Sequence, residues 1–518
     1  MNVLHVASEV APYSKTGGLG DVLGALPKAL AQTGEAKVMV VSARYGSISP
    51  GQPGLPGDAV GQGLAKRLRT LSVPVGDRRF DVGLYEGRLP GSGAHVPLYL
   101  IDHPLFGDRP GIYGPPDRPG HDYADNSLRF ALLSRAALVL AQALDFRPDV
   151  VHGHDWQTAL AVYYARTGAL EFQPATVFTI HNLLFKGLFP LADVAALGVR
   201  PEHLSIEGLE FYSEAALIKA GLQFADRITT VSPRYAQEIR TSEFGYGLEG
   251  LMQALGPRLT GILNGADYER WSPWLDSYLP ARYGAPAADF DRQGAQGDSA
   301  FASSLAGKAR CKAELQRELG LPVRPRAPLF ATISRLTDQK GIDLIAAFLE
   351  HELPLRGEMQ YAILGQGDPA LEYRLRALAE RHPSRLAVRL DFNEPLSHRT
   401  EAGADFFVMP SRFEPCGLNQ IYSLRYGTVP IVRAVGGLAD TVVDYDARSR
   451  SGTGFTFTAY DPTALSNAIR RALAAYNGDE DGFLALQRRG MRADFSWAAS
   501  ARAYIALYRQ ALLDVRSR

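Results

Sequence analysis

The chain has 518 residues, among which 55 lysines and arginines balance 55 aspartates and glutamates. This length exceeds what one ordinary hydrophobic core serves, so we expect two domains. The balanced charge removes the usual electrostatic argument for nucleic acid as the main partner.

Two further features concern the compartment. Cys311 and Cys416 are the two cysteines, too few for a disulfide framework, and they fit a reducing cytoplasm. The opening residues MNVLHVASEV lack the basic segment of a secretory signal. The most apolar helical pattern, AALVLAQAL from Ala136, is too short to span a bilayer. We therefore expect a soluble, cytoplasmic protein with no membrane partner.

Short apolar runs alternate with longer helical patterns along the chain, which is typical of parallel sheets covered by helices on both faces. In the first half we predict strands at Val3–Ser8, Val38–Ser42, Pro97–Ile101, Val150–His152, Ala175–Ile180 and Arg227–Val231. In the second half we predict strands at 329–334, 360–365, 386–391, 405–410 and 428–433. The fold class is therefore α/β with two doubly wound domains, which bind ligands at the carboxyl ends of their strands.

The domain boundaries follow from a stretch of weak periodicity that begins near residue 263. We place the first domain at 1–262 and the second at 263–496. A helical pattern at 497–518 packs back on one of the two halves. No internal repeat of short period is visible.

The segment KTGGLGDV, residues 15–22, follows the first predicted strand. Its glycines let backbone amides approach a ligand, and the next helix directs its positive end towards the same place. Lys15 adds a mobile charge, so the pattern favours a phosphate site. The spacing matches neither the P-loop nor the dinucleotide fingerprint. The alternative is an ordinary glycine turn with a solvated lysine.

Two loops of the second half carry further polar groups. In SRLTDQKG, Arg335 and Lys340 follow a predicted strand and could converge on a diphosphate, although a surface network with neighbouring aspartates is the alternative. In SRFEPCGLNQ, Glu414 stands where a carboxylate could hold sugar hydroxyls. Gly436 and Gly437 repeat the glycine turn and suggest a second cradle of backbone amides.

Histidines occur at two predicted strand ends, in HGHDW and TIHN. We expect His154, Asp155 and His181 on loops, and Asp155, His181 and Asn182 could bind a sugar there. The alternative for each histidine is a structural role with its hydrogen bonds satisfied within the protein. A zinc site would need a second cluster of standard spacing, which is absent. The D-x-D triplets at 289–291, 444–446 and 479–481 lie in loop-like segments. We therefore expect no metal site.

Several motifs follow one another along the chain, in this order: KTGGLGDV, HGHDW, TIHN, LNGAD, SRLTDQKG, GQGD, SRFEPCGLNQ, GTVPIVRAVGGLADTV and DFSW. Together they resemble bacterial glycogen synthases of the starch and glycogen synthase family, along nearly the whole chain. The resemblance implies two Rossmann-like domains of the GT-B type, with a cleft between them and the last helix completing the first domain. It also implies transfer of glucose from ADP-glucose to the non-reducing-end 4-hydroxyl of an α-1,4-glucan, with retention and without cofactor or metal.

The resemblance also implies roles for individual residues. Those implied for catalysis are Glu414, Arg335, Lys340, His181 and Asp21. Those implied for donor binding are Lys15, Gly18, Asn264, Phe392, Cys416, Gly417, Leu418, Tyr422, Gly436 and Gly437. Asp155 and Asn182 are implied to contact sugar or acceptor.

Alternatives remain open at this level. The chain alone does not separate ADP-glucose from UDP-glucose, or a glucan acceptor from the acceptors of sucrose or trehalose precursors. A phosphorylase would share the layout but lacks an identifiable pyridoxal lysine, and a non-catalytic glucan-binding protein is the remaining class. The excursion at 286–307 carries no assigned role.

Overall fold

We analysed a computed structural model that describes residues 1–48, 64–91, 95–116, 120–284, 297–355, 357–391 and 393–517. The chain divides into two compact units. The first unit comprises Met1–Gly265 and Trp497–Arg518, and the second comprises Ala266–Ser496. Among the described helices, none has the length and apolar character that crossing a membrane requires.

The first unit is built on a nine-stranded sheet of order β12-β11-β7-β6-β1-β2-β5-β4-β3. Its strands are β1 Asn2–Val6, β2 Lys37–Ala43, β3 Ala65–Val75, β4 Arg78–Arg88, β5 Pro97–Asp102, β6 Val150–His154, β7 Ala175–Ile180, β11 Arg227–Thr230 and β12 Leu259–Gly261. Three short strands form a separate sheet: β8 Leu188–Phe189, β9 Glu210–Phe211 and β10 Glu214–Ala216. Pairing from β12 to β5 is parallel, whereas β4 and β3 add an antiparallel hairpin at one edge.

The α-helices of the first unit connect these strands. They are Gly18–Gln32, Pro104–Gly107, Asn126–Ala143, Asp155–Arg166, Leu191–Ala195, Ile218–Phe224, Pro233–Glu238, Glu249–Ala254 and Trp497–Arg516. The first of them shows why they pack as they do, since Val22, Leu23, Leu26 and Leu30 are fully buried at helical spacing. That helix begins at a glycine-rich turn and presents its amino-terminal end to solvent.

The terminal helix Trp497–Arg516 belongs to the first unit. The Ser500 hydroxyl donates to the backbone oxygen of Leu263 at 2.6 Å. Arg227 forms a two-pronged ion pair with Asp514, at 2.5 and 2.9 Å. Forked arginine–carboxylate pairs fix geometry as well as adding energy. The terminal helix is therefore anchored near its start to the segment after β12 and near its end to β11.

The second unit contains a six-stranded parallel sheet of order β15-β14-β13-β16-β17-β18. Its strands are β13 Leu329–Ile333, β14 Gln360–Leu364, β15 Leu386–Arg389, β16 Phe406–Met409, β17 Val429–Arg433 and β18 Phe455–Phe457. Its α-helices are Gly297–Ser304, Ala306–Glu318, Ile342–His351, Pro369–Arg381, Glu394–Gly403, Asn419–Arg425, Gly436–Thr441, Pro462–Gly478 and Glu480–Arg492. The predicted α/β class is confirmed.

Every strand predicted from the sequence is present, with ends within two residues of those expected. The first sheet also contains an element that was not predicted, the polar hairpin Ala65–Val75 and Arg78–Arg88, whose second strand pairs antiparallel with β5. His154 was expected on a loop, but it is the last residue of β6 and is fully buried. Part of the excursion at 286–307 lies outside the described residues, up to the helix Gly297–Ser304.

Candidate active site

The glycine-rich segment after β1 is held in place by one buried carboxylate, that of Glu9. Glu9 accepts the backbone N–H and the hydroxyl of Thr16, both at 2.7 Å, and the N–H of Gly17 at 3.3 Å. The hydroxyl of Tyr113 donates to the same carboxylate at 2.5 Å. Glu9 therefore fixes the course of the segment. The sequence analysis missed it; the only signal was an acid inside an otherwise apolar run.

Gly17 and Gly18 lie exposed at the start of the helix Gly18–Gln32. A Cβ atom built on either of them would meet no described atom within 4 Å, and neither adopts a left-handed conformation. Packing and backbone strain therefore do not require glycine at these positions. What remains is open space in front of the positive end of a helix, where an anion is stabilised by the first backbone amides.

Lys15 is not an isolated charge beside this space. Its Nζ donates to Oδ1 of Asp21 at 2.7 Å, from a side chain that is 41% exposed. The Asp21 side chain is 24% exposed. The first unit therefore brings Lys15, Gly18 and Asp21 together, with the lysine charge compensated by a carboxylate.

A second polar group in the first unit surrounds the end of β7. Oδ1 of Asp155 accepts the backbone N–H groups of His181 and Asn182, at 2.7 and 3.4 Å. Burial raises the pKa of Asp155 to about 7, and the charge of Glu9 contributes in the same direction. Asp155 thus holds the His181–Asn182 turn in place through backbone hydrogen bonds.

His181 follows β7 directly and is 9% exposed. Its Nε2 lies 3.1 Å from Nδ1 of His154. Burial lowers the pKa of His181 to about 3. The ring is therefore neutral at physiological pH. Asn264, after β12, is also buried, and its Oδ1 has no hydrogen-bond partner among the described residues.

In the second unit the loops after two neighbouring strands, β13 and β16, converge. The N–H of Arg412, after β16, donates to the backbone oxygen of Gln339, after β13, at 2.9 Å. The side-chain amide of Asn419 donates to the backbone oxygen of Ile333 at 2.7 Å. The carboxyl ends of adjacent parallel strands form the usual ligand site of doubly wound sheets.

Lys340 and Glu414 meet at this edge. Lys340 Nζ donates to Glu414 Oε2 at 2.6 Å, and the hydroxyl of Ser411 donates to the same oxygen at 3.2 Å. The two side chains of the ion pair are only 19% and 7% exposed. Arg335, after the same strand as Lys340, is exposed and forms no ion pair with any described residue.

The turn at Gly436 and Gly437 supports Glu414 through the backbone. Gly436 has φ of +44°, and a Cβ there would lie 1.9 Å from the oxygen of Glu414. The N–H of Gly437 donates to the backbone oxygens of Glu414 and Pro415, both at 3.2 Å. The predicted amide cradle is therefore partly occupied by the protein's own loop.

The remaining predicted residues lie near this loop or outside the described chain. Cys416 is buried, while Gly417 and Leu418 are half-buried before the helix Asn419–Arg425. Tyr422 is buried and stacks on Trp271 with ring centroids 4.1 Å apart. Phe392 lies outside the described residues.

A group of histidines is the only metal-type arrangement found among the described residues. One ligand atom from each of His5, His152 and His154 lies within 4.8 Å of the others. His5 had not been considered in the sequence analysis, because it sits within the apolar pattern of β1. The nitrogens concerned are hydrogen-bonded to each other and to neighbouring side chains.

Comparison with known proteins places these sites in a family. Residues 2–254 match the model of the starch synthase catalytic domain, and residues 318–481 match that of the glycosyl transferases group 1. A glycogen synthase of Anaeromyxobacter sp. is 50% identical over 98% of this chain and 99% of its own. That of Myxococcus xanthus is 46% identical with the same coverage.

Solved structures agree. The catalytic domain of starch synthase IV from Arabidopsis thaliana, bound to ADP and acarbose, has a TM-score of 0.85 and 31% identity, covering 99% of each chain. A sucrose-phosphate synthase from Thermosynechococcus elongatus, with a TM-score of 0.58 and 19% identity, shares the fold. This chain therefore belongs to the starch and glycogen synthase family, is built on the GT-B fold, and is a glucan-extending glucosyltransferase that uses a nucleotide sugar.

Proposed function

We propose that the enzyme transfers glucose from ADP-glucose to the 4-hydroxyl at the non-reducing end of an α-1,4-glucan, keeping the α configuration. The nucleotide is supported by the starch synthase IV structure, whose bound ligands are ADP and acarbose. A cytoplasmic location remains a prediction from cysteine content.

The observation that carries the proposal is the presence of two cations, Arg335 and Lys340, in the loop at the carboxyl end of β13. Arg335 is exposed and has no ion-pair partner among the described residues, so its guanidinium is available to bind phosphate oxygens in a fork. Lys340 is already held by Glu414 at 2.6 Å. We assign both cations to the diphosphate, whose negative charge grows as the glycosidic bond breaks. No metal is needed in this assignment.

Glu414 is assigned to binding the glucosyl unit and not to attacking it. Its side chain is 7% exposed, and Oε2 accepts from both Lys340 and Ser411. The family resemblance gives this carboxylate a sugar-binding role, and one of its oxygens is already committed to Lys340 and Ser411. We therefore favour attack by the acceptor on the same face as the leaving group. Trapping of a glucosyl–Glu414 adduct by mass spectrometry would contradict this.

In the first unit, we assign Lys15 and the amides at Gly18 to the donor phosphates, with Asp21 setting the position of Lys15. His181 and Asn182 contact the sugar from the turn that Asp155 holds. The side-chain oxygen of Asn264 is buried and has no partner in the described part of the chain, which suits a donor hydroxyl. Phe392 is assigned to the adenine through the family resemblance alone.

Donor specificity is the direct test. The purified protein is given glycogen with either ADP-glucose or UDP-glucose, and the released nucleotide is measured. We expect release of ADP to exceed release of UDP by at least about 100-fold, the discrimination available when buried polar groups are left unpaired by the wrong ligand. Equal rates, or a preference for UDP-glucose, would contradict the proposal.

Configuration and linkage are tested on the product. Glycogen extended with ¹³C-labelled glucose should show anomeric signals of α-1,4 linkages only. Arg335→Ala protein provides the matched blank, because it is expected to fold normally and to transfer very little glucose. New β-anomeric signals would contradict retention.

A further inference from the structure

Seven side chains form a continuous hydrogen-bonded chain through the first unit. The links and their donor–acceptor distances are Thr229–Thr179 at 2.6 Å, Thr179–His152 at 2.7 Å, His152–Tyr508 at 2.8 Å, Tyr508–His5 at 3.5 Å, His5–His154 at 3.0 Å and His154–His181 at 3.1 Å. All are buried. The chain ends at His181, the side chain assigned to the sugar.

The sheet explains why these residues meet. β11, β7, β6 and β1 are consecutive neighbours and supply Thr229, Thr179, the two β6 histidines and His5. The register pairs Thr229 with Thr179 and His5 with His152. Tyr508, on the terminal helix, joins His152 to His5 from outside the sheet. The hydrogen-bonded chain therefore crosses four strands, and it is continuous only when the terminal helix is packed against the sheet.

Each member carries one transferable hydrogen. Burial lowers the pKa of His5 to about 3 and the pKa values of His152 and His154 well below 6.5. Burial also raises the pKa of Tyr508 well above 10. The imidazoles are thus neutral, each with one N–H and one acceptor nitrogen, and the phenol keeps its proton.

The number of hydrogens then restricts the arrangement. Seven groups share six links, so one hydrogen is left over. It lies at one end unless the hydroxyl of Thr179 or Tyr508 accepts from both neighbours, which would leave that hydroxyl's own hydrogen buried without an acceptor. If all groups donate towards His181, the extra hydrogen is on its Nδ1. If all donate in the opposite direction, the extra hydrogen is on the Thr229 hydroxyl.

The two ends differ in their surroundings. Thr229 is fully buried, and Thr179 is its only described hydrogen-bond partner. A buried hydroxyl hydrogen without an acceptor is unfavourable, because it has lost its bond to water and gained none in the protein. His181 reaches the surface at the end of β7, with Nε2 used by His154 and Nδ1 free of described partners. The extra hydrogen is therefore better accommodated at His181.

We propose that this series of hydrogen bonds, which runs from Thr229 through Tyr508 to His181, holds His181 as the neutral Nδ1–H tautomer. His181 thereby presents a hydrogen-bond donor to the substrate. This inference rests on the proposed contact between His181 and the sugar. His181 then donates to a sugar or phosphate oxygen and does not accept a proton there. Tyr508 is a positioning residue that acts through two intervening side chains, those of His5 and His154.

The tautomer is measured by NMR on protein labelled with ¹⁵N-histidine. Long-range proton–nitrogen spectra distinguish protonated from unprotonated ring nitrogens, and His181→Gln identifies the signals. We expect Nδ1 of His181 to be protonated and Nε2 to be unprotonated. Protonation at Nε2 would overturn the proposal, as would stoichiometric zinc bound at His5, His152 and His154.

Tyr508→Phe tests the route. It splits the hydrogen-bonded chain, and Nε2 of His5 is then left unpaired in both directions of donation, as a lone pair in one and as an N–H in the other. The remaining three-histidine segment can therefore place its extra hydrogen at either end. We expect mixed tautomers at His181 and a fall in kcat of about three- to tenfold, the size of one weakened hydrogen bond, with KM for the donor little changed. Tyr504→Phe, one turn earlier on the same helix, is the matched control and should keep the wild-type His181 spectrum.

An unchanged His181 spectrum in Tyr508→Phe would overturn the route. The spectra are recorded without substrate, so they do not depend on the proposed reaction. If the protein fails to use ADP-glucose, the proposed donor is refuted but the tautomer result still stands. If Nε2 of His181 is protonated in a protein that does use ADP-glucose, the proposed role of the hydrogen-bonded chain is refuted and the proposed function stands.

Discussion

Each unit pairs a lysine with a carboxylate beside a glycine-rich turn, but the surroundings differ. Lys15 and Asp21 meet at 2.7 Å with side chains 41% and 24% exposed. Lys340 and Glu414 meet at 2.6 Å with side chains 19% and 7% exposed. A further hydrogen bond from Ser411 fixes only the second pair.

Burial decides what each pair does. An exposed pair contributes about 0 to 1 kcal/mol and is screened by salt, so Lys15 can leave Asp21 for a phosphate at little cost. A buried pair is costly to break, because the remaining charge loses its compensation. The second unit therefore holds its lysine and glutamate preorganised, whereas the first unit holds a mobile cation.

The largest expected effects come from the second unit. Arg335→Ala and Lys340→Ala should each lower kcat by about 100-fold or more, as for loss of a major electrostatic donor. Only Lys340→Ala should also lower the melting temperature, since it leaves Glu414 unpaired at a cost of about 3 kcal/mol. Activity assays and calorimetry on the same samples check both. Wild-type rates in either variant would remove that cation from the site.

Gly18→Ala tests the open space in the first unit. The added methyl group meets no protein atom but would stand where the phosphates are proposed to bind. We expect kcat/KM to fall by about 10- to 100-fold, the cost of displacing a bound group by about 1 Å. Gly250→Ala, on an exposed helix where a Cβ also meets nothing, is the matched control. Equal activity of the two variants would contradict a phosphate site.

Lys15→Ala should have a smaller effect than either change above. Because the pair with Asp21 is exposed, the melting temperature should stay near that of the wild type, corresponding to less than about 1 kcal/mol. The KM for the donor should rise about tenfold, as for one lost charge-assisted contact. The difference from wild type should shrink in 0.5 M salt. A large loss of stability would show that this pair is structural.

The smallest effect concerns a buried pair that titrates. His398 lies 2.7 Å from Asp276. Burial lowers the pKa of His398, but the hydrogen bond to Asp276 and the negative charges of Asp276 and of Glu394, 3.7 Å away, outweigh it and raise the pKa above 6.5. The stability from this pair is therefore complete below pH 6.5 and is lost as pH rises through the raised value.

The measurement is the melting temperature of wild type and His398→Gln between pH 5.5 and 8.5. The difference in free energy of unfolding that corresponds to the difference in melting temperature should be on the order of 1 kcal/mol larger at the acidic end. A difference independent of pH would show that His398 is held neutral.

The strands were predictable because a parallel strand covered on both faces is a short, nearly continuous apolar run, such as LFATI in β13. The hairpin Ala65–Val75 and Arg78–Arg88 was not, since its many charged residues resemble a loop. Lys15, Arg335, Lys340 and Glu414 could be proposed because polar groups after such strands gather at one edge of a sheet. The pairing of Lys15 with Asp21 and of Lys340 with Glu414 could not be predicted from the sequence.

The sequence by itself determined the order of strands and helices and the loops that carry polar groups, since these depend on local periodicity and turn residues. Tertiary structure alone decided that Glu9 clamps the glycine segment and that Tyr508 links His152 to His5. These contacts join residues that are far apart along the chain, and no local pattern reports them. Whether a lysine pair is exposed or buried is likewise set by the packing around it, and that burial fixes its strength.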